Sequence, residues 1–191
     1  MKRLLALLAL VTLTATASAS ASASEYRALQ PEASRLNFAY TQMGVPLEGQ
    51  FKKFNATLNF DPARPTAAQA QFEVDLASID TGLPEANSEV AGKAWFNTAA
   101  YPTARFVSSS IKVLGPNRYE VQGPLTIKGR TVNVTAPFTF TPQGDQGHFD
   151  GALTLKRLDY AIGEGAWADV SAVANEVQIK FHLVVRPKSG K

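Results

Sequence analysis

The stretch YEVQGPLTIKGRTVNVTAPFTF, residues 119–140, sets the fold class because apolar and polar side chains alternate along most of it. Alternation with a period of two residues is typical of a β-strand that buries one face. The alternation breaks at Lys128–Gly129, where the dipeptide favours a tight turn between antiparallel strands. The stretch therefore predicts a β-hairpin. Pro124 has no N–H for a sheet ladder, so we expect a bulge or a strand edge there.

The same alternation recurs on both sides of the hairpin and predicts eight antiparallel strands. The parity of the apolar residues flips at Lys52–Lys53, which indicates a β-bulge that bends its strand. In residues 104–114 either face could point inward, since apolar residues occur on both parities. The predicted strands cover residues 36–43, 47–60, 68–76, 104–114, 119–127, 132–140, 149–155 and 177–185.

Two segments lack the strand pattern. Residues 84–94 begin with a proline suited to a first helical turn, and they predict a short helix. Residues 157–174 form a connection longer than a hairpin needs, and such ordered loops are often functional or capping segments. The sequence therefore predicts an all-β fold, an eight-stranded antiparallel lipocalin-like barrel with one short helix, in a single domain over residues 24–191.

The first residues are unlike the rest of the chain. Met1-Lys2-Arg3 precedes an apolar run from Leu4 to Leu13 and a small-residue tract from Ala15 to Ser24, which is typical of a secretory signal peptide. The apolar run is about half the roughly 20 residues of a membrane-spanning helix. We expect cleavage near Ala23, so that residues 1–23 are removed and the mature protein is periplasmic or secreted.

Charge and cysteine content exclude several classes of function. Loss of Lys2 and Arg3 lowers the net charge from +3 to +1, which leaves no basic surface for nucleic acid. The chain has no cysteine, so disulfides, a thiol nucleophile and thiolate metal sites are excluded. His148 and His182 are both expected at the surface, and Ser108 lacks the sequence context of a catalytic serine. We therefore expect a protein that is not an enzyme and requires no metal or cofactor.

Composition leaves the barrel interior open between two alternatives. All eleven Phe residues follow residue 23, and several positions of inward parity are small. This mixture fits ordinary interdigitated packing, and it also fits a cavity with aromatic walls.

Five motifs follow one another along the chain from Gly49 to Gly163. They are Gly49-x-Phe51 with Phe54-Asn55-Ala56 and Phe60-Asp61, Ala77-Ser78-Ile79-Asp80-Thr81-Gly82, Phe96-Asn97 with Tyr101-Pro102 and Phe106, the hairpin from Tyr119 to Thr131, and Arg157-x-Asp159-Tyr160-x-Ile162-Gly163. In this order they resemble the YceI-like family of periplasmic, lipocalin-like, polyisoprenoid-binding proteins. Ala161 departs from the pattern, which usually has glycine at that position.

The resemblance implies an apolar tunnel that holds an isoprenoid lipid, such as a quinone or polyprenol tail, as bound ligand. The function expected from it is a periplasmic carrier, with a membrane redox or lipid-handling protein as a candidate partner. The oligomeric state stays open, a homodimer included. The predicted lining combines strand residues with three aromatics near the mouth: Phe38, Phe51, Phe54, Phe60, Phe72, Phe138, Phe140, Phe149 and Phe181, with Trp95, Phe96 and Trp167.

The only dense charged set in a loop includes Arg157 and Asp159, together with Glu164 and Asp169. Arg157 and Asp159 are candidate head-group contacts, and the alternative is an internal Arg–Asp pair that braces the barrel end. The alternative function is a non-enzymatic structural or interaction module with a filled barrel, for which a stress-related role is one option.

Overall fold

A computed structural model describes residues 25–187. The predicted signal peptide lies outside the described residues. All strand pairs are antiparallel and belong to one sheet, with one helix, α1 (Pro84–Ala91). The strands are β1 (Tyr26–Leu29), β2 (Arg35–Gln42), β3 (Val45–Phe51), β4 (Phe54–Asn59), β5 (Gln69–Asp75), β6 (Ile79–Asp80), β7 (Thr103–Val107), β8 (Ser110–Gly115), β9 (Arg118–Ile127), β10 (Arg130–Gln143), β11 (Gln146–Lys156) and β12 (Glu176–Pro187). The predicted all-β class and the single helix are confirmed.

The sheet curls on itself. Its hydrogen-bonded strands follow one another in the order β4-β5-β7-β9-β10-β11-β12-β2-β3-β6, and in addition β8 pairs with β9 and β1 pairs with β12. The chain passes from β3 to β4 at Lys52–Lys53, which joins the two far regions of this order covalently. Strand β1 also links them, because the Tyr26 N–H donates to the Phe60 carbonyl at 2.9 Å while β1 pairs with β12. The result is a curled, barrel-like sheet with an inner and an outer face.

The described residues form twelve strands rather than the predicted eight. Two short strands, β1 and β6, carry too few residues to show alternation. Predicted strand 47–60 divides at Lys52–Lys53, because β3 pairs with β2 and β6 whereas β4 pairs with β5. The parity flip at these lysines thus marks a change of pairing partner.

Predicted strand 104–114 also divides, and the division explains why its inward face was ambiguous. Ala104 in β7 and Ile111 in β8 are both buried although their parities are opposite. Beside the break, a Cβ on Gly123 would lie 2.0 Å from the Val107 carbonyl oxygen, so only glycine fits there. Pro124 lies opposite the same break, as expected for a residue that has no N–H to donate to a neighbouring strand.

The predicted hairpin and helix are present with small differences. Lys128 and Gly129 both have positive φ, +48° and +74°, which matches the twist of a two-residue hairpin turn. Helix α1 begins at Pro84 as predicted. It ends at Ala91, three residues early, where the Gly92 N–H donates to the Glu89 carbonyl at 2.9 Å.

The core consists of two separate clusters. The first, here called the packed end, combines aromatic rings from β1, β9, β10 and β11, and the ring of Phe60 just after β4, with aliphatic side chains. The second, here called the open end, lies beneath α1 and the 157–174 connection. Between the clusters, inward-facing apolar side chains such as Phe72, Leu153 and Phe181 are only half-buried, although they face the interior. The middle of the barrel is therefore hollow.

Candidate ligand-binding cavity

A cavity of about 510 Å³ lies inside the barrel between the two ends. This volume falls in the range of about 300–1,000 Å³ that is usual for small-molecule sites. Its wall is almost entirely aliphatic and aromatic. The lining includes Leu58, Val121, Leu125, Val134, Leu153, Leu155, Val177 and Ile179, besides the aromatic residues described next.

The structure brings nearly all of the predicted aromatic residues to this wall. The lining includes Phe38, Phe51, Phe54, Phe60, Phe72, Trp95, Phe96, Phe138, Phe149, Trp167 and Phe181. Phe140 is the exception. Its ring lies 5.0 Å from that of Tyr26 and 4.8 Å from that of Phe60, within the packed end. Its parity is inward as predicted, but its position along the strand lies beyond the floor of the cavity.

The bend between β3 and β4 allows two aromatic residues to face the cavity across a pair of lysines. Phe51 is the last residue of β3 and Phe54 is the first of β4, and both line the wall. Gly49 makes room for a third ring, because a Cβ there would lie 2.3 Å from Phe38. The early motif with Gly49 and Phe51 is therefore a packing requirement of this wall.

The cavity opens beside α1. Glu85 and Glu89 line it and are also exposed, whereas Ala86 and Val90 on the same helix face are half-buried. The Trp167 indole N–H donates to the Glu89 carboxylate at 2.9 Å and so ties the helix to the 157–174 connection. The sequence analysis missed both glutamates. Their spacing of four residues, which places them on one helix face, was the available signal.

Arg157 braces the open end from the inside. Its guanidinium donates to five backbone carbonyls and its side chain is 1% exposed. Burial lowers the pKa of Arg157, and the five carbonyl dipoles favour the charged form. The acceptors, at 2.7–3.1 Å, are the carbonyls of Ile162, Gly163, Trp167, Val173 and Ala174.

These bonds correct two expectations for Arg157 and Asp159. All five guanidinium N–H groups are occupied, so none is free for a head group. Asp159 is exposed and does not line the cavity, which argues against its role as a head-group contact. Within residues 25–187 no ion pair joins it to Arg157, so the brace is made by carbonyls rather than by an Arg–Asp pair.

The glycine-rich part of the last motif follows from this arrangement. A Cβ on Gly163 would lie 2.1 Å from Arg157 Nη1, and Gly163 has φ of +81°. Ala161 has φ of +55°, a left-handed conformation that costs an L-residue about 1–2 kcal/mol. The glycine usual at this position of the family pattern would adopt it without that cost.

A second buried cation holds the same rim. The Lys128 ammonium, on a side chain 7% exposed, donates to the carbonyls of Lys93 and Ala161 at 2.9 and 2.7 Å. It also donates to the Glu164 carboxylate at 2.8 Å, and this bond lowers the pKa of Glu164. Three loops of the open end therefore meet at one lysine of the β9–β10 turn.

The phenol of Tyr160 lies under the same rim without a hydrogen-bond partner among the described residues. Burial, with a smaller effect from the charge of Asp159, raises the pKa of Tyr160 to about 12. The phenol is therefore neutral at physiological pH. It contributes apolar packing rather than acid–base chemistry.

The two histidines lie together on the outer face. Their ring centroids are 5.6 Å apart, and His182 Nδ1 lies 2.6 Å from the Asp150 carboxylate. The two histidines are 34 residues apart in the sequence, which concealed this proximity. They meet because β11 and β12 pair with Asp150 opposite His182 and His148 opposite Val184. In the part of the chain that the structure describes, no group of three His, Cys, Asp or Glu residues is arranged to hold a metal ion.

The fold and the cavity define a lipocalin-like β-barrel with an apolar interior. The profile of the YceI-like domain matches residues 28–185, and the chain therefore belongs to the YceI-like family. The UPF0312 protein of Pseudomonas savastanoi pv. phaseolicola is 31% identical over 134 residues, which cover 66% of this chain and 70% of that protein.

Solved structures show the same fold. The crystal structure of Burkholderia cenocepacia BcnA matches with a TM-score of 0.80 at 48% identity, covering 82% of this chain and 98% of that chain. A polyisoprenoid binding domain from Saccharophagus degradans, implicated in plant cell wall breakdown, matches with a TM-score of 0.67 at 18% identity. That match covers 87% of this chain and 100% of the domain. Over residues 25–187, no helix has the length and apolar character needed to cross a membrane.

Proposed function

We propose that this protein is exported through a signal peptide at residues 1–23 and carries an isoprenoid lipid, of quinone or polyprenol type, in the periplasm. The observation that supports this proposal most strongly is the hollow apolar interior. Inward-facing side chains remain half-buried between two packed clusters, which leaves an unfilled cavity of about 510 Å³. A cavity with such walls is poorly hydrated, so an apolar chain is its natural occupant.

The energetics of this occupant are sufficient for binding. Burial of a few hundred Å² of apolar tail at about 25 cal/mol per Å² yields on the order of 10 kcal/mol before the costs of association. The domain from Saccharophagus degradans, which shares the fold, is described as binding polyisoprenoids. Both points favour an isoprenoid over a polar metabolite.

We propose a binding protein rather than an enzyme. Within the described residues, the wall of the cavity holds no nucleophile beside a base, and its buried cation Arg157 is fully hydrogen-bonded to the backbone. No cofactor is needed for carriage. A membrane redox or lipid-handling protein is the partner such a carrier would serve. A filled barrel that acts only as an interaction module is disfavoured by the cavity.

The test compares two tryptophan substitutions at neighbouring positions of β11. Leu153→Trp places a large ring into the cavity, whereas Thr154→Trp places the same ring on the exposed outer face. Farnesol, a short isoprenoid alcohol, is titrated against a bound fluorescent apolar dye. We expect Leu153→Trp to weaken farnesol binding about tenfold or more, which corresponds to about 1.4 kcal/mol.

Thr154→Trp is expected to bind farnesol within about twofold of the wild type, since the cavity is unchanged. Thermal unfolding of the ligand-free variants verifies that both are folded. Equal affinities in the two folded variants, or failure of the wild type to bind farnesol, would contradict the proposal.

A further inference from the structure

We infer that the cavity selects its ligand by the charge of the head group, with Glu85 and Glu89 at the rim favouring an uncharged or cationic head over a phosphate. The inference rests on the proposed function, because it concerns the polar end of a ligand whose apolar tail fills the cavity.

The geometry determines where the head group lies. The floor of the cavity is closed by the packed end, in which the Phe60 ring lies 4.8 Å from Phe140 and 5.0 Å from Phe149. The walls are apolar, so a polar group placed deep in the cavity would lose its hydration without gaining partners. The tail therefore enters first, and the head stays at the open end beside α1.

The two charged side chains that α1 presents at that opening are carboxylates. Glu85 and Glu89 lie four residues apart on the helix face that lines the cavity, and both are exposed to solvent. The Glu89 carboxylate accepts the Trp167 indole N–H, which holds it at the rim. A negatively charged head group at this position would meet two like charges at close range.

The two buried cations of this region are committed to other partners. Each N–H of Arg157 has a backbone carbonyl, and five carbonyl dipoles direct their negative ends at its charge. The three N–H groups of Lys128 likewise have three acceptors. Arg105, the remaining cation of the lining, is exposed on β7, with its Nε 3.5 Å from the Glu73 carboxylate. Neither Arg157 nor Lys128 therefore offers a phosphate the unpaired donors that phosphate sites use.

The experiment uses one tail with three heads: farnesol, farnesyl phosphate and farnesylamine. Each displaces the same apolar dye from the full mature protein at low ionic strength, where charge effects are least screened. We expect the alcohol and the amine to bind about tenfold more tightly than the phosphate. Glu85→Gln/Glu89→Gln should raise the affinity for the phosphate about fivefold or more and lower that for the amine, so that the ratio of alcohol to phosphate affinity falls. Glutamine keeps an oxygen acceptor for Trp167.

The matched control is Glu32→Gln/Asp145→Asn, which removes the same charge at exposed positions remote from α1. It should leave the ratio of alcohol to phosphate affinity unchanged. A wild type that binds the phosphate as tightly as the alcohol would overturn the inference, and so would a rim variant with an unaltered ratio. In both cases farnesol still binds, so the proposed function stands. If none of the three ligands binds, the proposed function and the inference fail together.

Discussion

The two ends of the barrel are stabilised in different ways. At the packed end, aromatic rings from four strands meet across the interior, and Phe60 alone lies within 5.4 Å of the Tyr119, Phe140 and Phe149 rings. At the open end, two buried cations hold backbone carbonyls of the surrounding loops. The difference follows from the backbone: the packed end is built from paired strands, whereas the rim is built from loops whose carbonyls have no ladder partner and accept from Arg157 and Lys128 instead.

Phenylalanine consequently occurs in two environments, one inside the packed end and one in the wall of the cavity. Phe140 is 1% exposed inside the packed end, whereas Phe72 is half-buried because it faces the cavity. Phe72 still contacts other rings, with centroids 6.1 Å from Phe106 and 6.5 Å from Phe181. A ring in the packed end should therefore contribute to stability alone, whereas a ring in the wall of the cavity should also contribute to ligand affinity.

The largest expected change in stability comes from a substitution at the open end. Arg157→Leu leaves the buried carbonyls of Ile162, Gly163 and Val173 without a donor. An unsatisfied buried polar group costs about 1–3 kcal/mol, so for three such groups we expect a loss of about 6 kcal/mol, within a range of about 3–9 kcal/mol, in the free energy of unfolding. Urea denaturation measures it.

Arg157→Lys is the matched variant for this brace. Lysine keeps the charge but has three donors instead of a planar set of five, so it should recover only part of the loss. If Arg157→Leu cost less than about 1 kcal/mol, the carbonyl brace would not stabilise the rim, and the proposed contrast between the ends would be wrong.

The next effect separates stability from affinity. Phe140→Ala should cost about 3–5 kcal/mol of stability, as is usual for a large residue in a packed core, with farnesol affinity unchanged. Phe72→Ala should cost less stability and weaken farnesol binding, since Phe72 lines the cavity. Denaturation curves and dye displacement on both variants measure the two quantities. Equal effects of the two substitutions on farnesol affinity would contradict the distinction between the packed end and the wall of the cavity.

The smallest effect concerns Ala161, whose φ of +55° strains the rim. Ala161→Gly removes a cost of about 1–2 kcal/mol and adds about 0.5–1 kcal/mol of backbone entropy in the unfolded chain. We expect a net gain of about 0.5–1 kcal/mol by thermal or chemical unfolding. Ala152→Gly in β11, where no positive φ occurs, should instead destabilise. A loss of stability in Ala161→Gly would show that the loop is not strained there.

Alternation along the sequence was sufficient to predict the strands that line the barrel, because inward parity depends only on local backbone geometry. The hairpin at Lys128–Gly129 and the aromatic wall were predictable for this reason, and helix α1 was predictable because its segment lacks the alternation and begins with Pro84. The number of strands was not, since the divisions at Lys52–Lys53 and Ser108–Ser109 depend on which neighbours pair with each half.

The chemistry of the open end was only partly predictable. Arg157 was identified as important, but its partners are backbone carbonyls 5–17 residues away, and no side-chain pattern reveals such acceptors. Phe140 faces the interior as its parity predicts, but it lies beyond the floor of the cavity. Alternation gives no information about the position of a residue along the barrel axis. Glu85 and Glu89 became recognisable as rim residues only when the helix was placed over the cavity.

The most direct test of the hollow interior is to purify the mature protein from its own host under mild conditions, extract it with organic solvent and identify the extract by mass spectrometry. A mock preparation from cells that lack the protein is the control. The account predicts a stoichiometric isoprenoid that is absent from the mock extract. An empty extract from folded protein that also gains no thermal stability from added quinones or polyprenols would contradict it.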